Sequence, residues 1–122
     1  MNGYAPPQPI GPSSQVQQGD LVVTGPLQKE LVRRVMRSHF AQLRYCYEQG
    51  LARQPSLTGK LVLQFVITPE GPVTAASVSG STLGDAGVSD CFSGRAKTWT
   101  FPRGAGPTQV VVPFVLTPPS GY

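Results

Sequence analysis

Two cysteines constrain this chain more than any other feature. Cys46 and Cys91 are its only two, and they stand 45 residues apart in 122. Each falls in a stretch of helical periodicity. From 27 to 53, Leu27, Leu31, Val35, His39, Leu43, Cys46 and Gly50 recur at steps of three and four, the spacing of one helix face. Pro26 suits the first turn, and Gly50 or Pro55 marks the stop, so a single helix is expected here. From 85 to 99, Val88, Cys91, Phe92, Arg95 and Trp99 repeat helical spacing behind Asp85, a candidate cap. Both cysteines thus lie on or near inward helical faces.

The segment between the two helices reads as a β-hairpin. Leu61, Leu63, Phe65 and Ile67 alternate with Lys60, Gln64 and Thr68, and "TPEG" supplies the turn into a weaker return strand, about 73–79. "TQVVVPFVL", residues 108–116, is a final strand. Trp99 and Phe101, where the second helix hands over to that strand, are expected core anchors. The order helix, strand, strand, helix, strand predicts an α+β fold, with two helices packed on a three-stranded antiparallel sheet. "LVVTG", residues 21–25, is either an extra edge strand or a lead-in to the first helix. Residues 1–20 are rich in Pro, Gln and Ser and read as a disordered linker. The expected domain is 21–117, followed by a flexible tail, 118–122. No apolar run reaches the roughly 20 residues of a membrane span. Met1 is followed by no charged and apolar leader. The chain therefore reads as cytosolic or as a piece of a longer, exported protein.

Several states of the cysteines fit this pattern. Two buried free thiols are one. Metal binding is poorly served by two cysteines and one histidine so far apart, and a redox pair would usually come as CxxC, which is absent. A disulfide joining the two helices across the hairpin is the reading that inward faces favour, and it implies an oxidising compartment. No catalytic residue is assigned. His39 is the only histidine and lies on an apolar stripe, and no phosphate-cradling glycine loop or HExxH motif occurs. The chain is read as a non-enzyme, with no cofactor and no metal.

The charge is more informative. Between 27 and 53, Lys29, Arg33, Arg34, Arg37, Arg44 and Arg53 oppose only Glu30 and Glu48, so the whole net charge of +4 sits on that helix. Arg33, Arg34, Arg37 and Arg44 form a basic face. It supports an alternative reading, a module that binds nucleic acid or an anionic envelope surface.

The blocks "RYCYEQGLARQPSLTGKLVLQFVITPEGPV", "STLGDAGVSDCFSGRAKTWTFP" and "VVVPFVL" carry a resemblance. Over about residues 26–116 the chain resembles the AgmX/PglI C-terminal domain of myxobacteria and relatives, a TonB C-terminal-like domain. Cys46 and Cys91 match that family's cysteines. The resemblance implies a periplasmic domain at the end of an inner-membrane-anchored, proline-rich protein of the gliding-motility or energy-transduction type. It also implies a partner in the periplasm or outer membrane, gripped through a short extended peptide, with a homodimer possible and no nucleic acid expected. The expected contact is the last strand, Gln109, Val110, Val111, Val112, Pro113, Phe114, Val115 and Leu116. Pro113 removes a donor mid-strand, which suits an edge open to strand addition.

Overall fold

The computed structural model describes residues 14–119. Strands β1 (Gln15–Gln18) and β2 (Val22–Thr24) lead into helices α1 (Lys29–Ser38) and α2 (Phe40–Arg53). The hairpin β3 (Gly59–Ile67) and β4 (Val73–Ser81), helix α3 (Ala86–Ala96) and strand β5 (Thr108–Thr117) complete the chain. The sheet is antiparallel, ordered β1-β5-β3-β4, with β2 beside β1 on the same flank of β5. The architecture is α+β, but with five strands and three helices in place of the expected three and two.

The long strands obey their alternation. Leu61, Leu63, Phe65 and Ile67 of β3 and Val110, Val112, Phe114 and Leu116 of β5 are buried beneath the helices. Lys60, Val62, Gln64 and Val66, with Gln109, Val111, Pro113 and Val115, form the opposite face, half-buried or exposed. Trp99 and Phe101 are core residues, as expected, at 1% and 3% exposure. Phe65 touches both rings, edge-on to Trp99 at 5.6 Å and stacked on Phe101 at 5.7 Å. The hairpin turn needs Gly71, whose φ is +119° and whose missing Cβ leaves room for the Phe101 carbonyl.

The expected single helix is broken at His39. The break carries no glycine or proline. Ser38 Oγ donates to the Val35 carbonyl at 2.6 Å, and the His39 N–H bonds the Met36 carbonyl at 3.0 Å, tightening the last turn of α1. Phe40 then swings onto Phe114, with ring centroids 6.2 Å apart, and His39 stacks on Trp99 at 5.0 Å. The apolar spacing continues through the corner, which is why periodicity alone joins the two helices.

Residues 14–20 are part of the fold and not of a linker; residues 1–13 and 120–122 lie outside the described region. β1 pairs Gln15 with Thr117 and Gln18 with Phe114, and Val16 is buried in the core at 7% exposure. Leu21 between β1 and β2 is fully buried, and the Gly19 N–H donates to the Pro113 carbonyl at 2.8 Å. A polar tail therefore supplies two apolar anchors at the spacing that lets it lie along β5.

Candidate partner-binding site

Cys46 and Cys91 form a disulfide, with Cα atoms 5.6 Å apart. It ties α2 to α3. Gly50, one turn beyond Cys46, lets the helices approach: a Cβ there would press on Val88 and Leu57. Asp85 caps α3, accepting from the Val88 N–H at 2.9 Å, and Arg53 of α2 reaches the same oxygen at 2.9 Å. The Val88 hydrogen bond, aided by Arg53, holds the Asp85 carboxyl below its ordinary range.

The strand from Gln109 to Leu116 is not an edge. β3 pairs along one side of it, and β1 and β2 occupy the other. Pro113 is tolerated because its position leaves only a carbonyl, which Gly19 takes. The expected contact surface is thus covered by the chain's own N-terminal strands.

The open edges are β1 and the three-residue β2 on one flank, and β4 on the other. β4 begins partly occupied: the Val73 N–H donates to the Trp99 carbonyl at 3.3 Å, and Pro72 bridges Thr100. Its register against β3 shifts twice, and such irregularities twist an edge away from further pairing. A hollow of about 420 Å³ beside it is lined by small side chains of β4 and α3, with Asp90 the one charge.

β1 offers more. Because the Gly19 amide points to β5, strand alternation turns the amides and carbonyls of Val16 and Gln18 outward. The outward Ser14 carbonyl accepts from Arg44 Nη2 at 3.1 Å, in keeping with that phase. Two hollows, of about 530 and 360 Å³, run along residues 14–20 and meet at Phe40. Arg33 and Arg37 stand over one and Arg44 over the other. They form a trench with a strand edge as one wall, guanidinium groups as the other and an aromatic ring between.

Three of the four arginines of the basic face thus converge on one feature; Arg34 points elsewhere and lines neither hollow. Arg33 is paired with Glu30. The hydrogen bond and charge of Arg33 hold the Glu30 carboxyl below its usual range. Arg44 lies 3.7 Å from Glu48, which also accepts from Ser14 Oγ at 3.1 Å. Asp20, at the Arg33 end, is 3.4 Å from Lys29. Among the described residues no three His, Cys, Asp or Glu side chains come together as a metal-binding group, and no helix is long and apolar enough to cross a membrane.

The chain matches no family model, no curated protein and no solved structure. Sequence reasoning missed β1 and Phe40. The one available signal was "QVQ", a polar-apolar alternation too short to stand out in a tail of the same composition.

Proposed function

We propose that the chain is a non-enzymatic protein-interaction domain that takes up an extended segment of a partner as a new strand along the outer edge of β1. The observation that carries this reading is the open β1 edge itself, its outward backbone groups lying beside a trench that can receive side chains. Backbone pairing supplies affinity in such a mode, and side-chain pockets supply selectivity. The setting comes from the resemblance: the periplasmic end of an inner-membrane-anchored, TonB-like envelope protein of the gliding-motility and energy-transduction type. The partner is then an outer-membrane or periplasmic protein. The Cys46–Cys91 disulfide supports an oxidising compartment. The gathering of Arg33, Arg37 and Arg44 also supports a second reading, in which the same face meets nucleic acid or an anionic surface.

Gln18→Pro separates the two. The Gln18 amide faces outward, so proline there removes a donor from the open edge and none from the β5 ladder. A photo-crosslinking residue in place of Gln15, in cells making the full-length protein, reports on what occupies the trench. Strand addition requires the crosslinked partner to disappear when Gln18→Pro is added while melting of the purified domain is unchanged. A crosslink that survives in full argues against strand addition.

A further inference from the structure

We infer that the strand taken up by β1 is acidic, carrying carboxylates two positions either side of an apolar residue. The inference rests on the strand-addition reading of this edge. Side chains of an added strand alternate, so those facing the helices sit at positions i, i+2 and i+4, about 13 Å in all. The trench offers those positions Arg44 at one end, Phe40 in the middle, and Arg33 with Arg37 at the other. An acid–x–apolar–x–acid segment places a carboxylate at each guanidinium group and its apolar side chain on the exposed part of the Phe40 ring.

The neighbouring charges leave room for this. Asp20 faces the trench but is engaged by Lys29. Glu30 pairs with Arg33, and Glu48 with Arg44, at solvent-accessible positions where such pairs are weak, and Arg44 is held in place by the Ser14 carbonyl as well. Arg37 makes no direct ion pair among the described residues, and it is exposed at the trench wall. Other occupants fit less well. Residues 1–13, "MNGYAPPQPIGPS", contain no carboxylate and four prolines that interrupt their run of amides, so they offer none of the charge and a broken ladder. A second copy paired β1 to β1 would set arginines against arginines. A nucleic acid would engage the guanidinium groups but leave the outward amides of Val16 and Gln18 unpaired.

The probes are capped seven-residue peptides titrated into the whole oxidised chain and read by amide chemical shifts. One alternates Thr with Glu, Val and Glu; the other carries Lys in place of Glu. The acidic peptide should shift residues 14–20 and Phe40, and the basic one should bind about tenfold more weakly or not at all. Arg37→Glu should weaken the acidic peptide about tenfold, because it sets like charge against a partner carboxylate. Arg34→Glu makes the same change in net charge three residues away and off the trench, so it should alter affinity about twofold at most. Equal binding of both peptides, each sensitive to Gln18→Pro, overturns the acidic preference and leaves strand addition standing. Binding that ignores Gln18→Pro, falls equally with both arginine variants and yields to a DNA duplex or anionic vesicles overturns both. An acidic peptide that shifts nothing overturns the inference alone, since the crosslinking experiment judges the edge independently.

Discussion

His39 sits at the corner between α1 and α2, its ring stacked on Trp99 at an interplanar angle of 9°. Trp99 is in turn fixed by Gln42, whose side-chain oxygen accepts from the indole N–H at 3.0 Å. Burial favours the neutral imidazole and lowers the His39 pKa. A histidine whose folded pKa is depressed contributes stability that is fully present above its unfolded value, about 6.5, and is lost as pH falls towards the folded value. It is the chain's only histidine, and the carboxyls of Glu30 and Asp85 are held low. Denaturation at pH 7.5 and at pH 5.5 should therefore show a loss of stability that His39→Gln removes. A wild-type chain equally stable at both would show that the stacked ring is charged as readily as a free one. The sequence places His39 on an apolar stripe, and its ring does pack, on Trp99, but nothing in its spacing marks the corner, because a tightened turn needs no special residue.

β1 is the element that changes the molecule most. It buries Val16, closes the flank of β5 and creates the trench. A chain beginning at Leu21 would lose that strand. Burial of one valine is worth about 1.5–3 kcal/mol, so urea denaturation of the shortened chain should show at least that loss. It should also self-associate in sedimentation experiments, because the β5 edge opposite Val115 and Leu116 is uncovered. A monomer of unchanged stability would mean β1 adds nothing to the fold. The long elements were legible because they repeat: four inward residues in β3, and helical steps through both cysteines. β1 has only four residues and one buried side chain, so no period can establish itself. For the same reason the last strand read as an edge. Pro113 does mark a missing donor, but whether a neighbour lies there depends on a pairing nearly 100 residues away in sequence, and alternation within one strand carries no record of it.

At the scale of the molecule, the disulfide spans the hairpin and joins α2 to α3 around the core. Closing a loop of 45 residues is worth about 4 kcal/mol in the chain-entropy model, a large share of what holds a domain this size. Reductant should lower the denaturation midpoint accordingly, and unreduced, unfolded protein should react with no thiol reagent; two labels per chain would contradict the pairing. The register of Gln15 against Thr117 has a further consequence. The described chain enters and leaves at the same end of the sheet, through adjacent antiparallel strands. Tension that draws those two ends apart peels β1 from β5 one hydrogen bond at a time and meets little resistance. Tension between β1 and a strand laid along its outer edge, pulled along their common axis, loads every new bond at once and is resisted by all of them together. Whatever length is drawn out in either case excludes the cross-linked loop between Cys46 and Cys91, which stays closed under load.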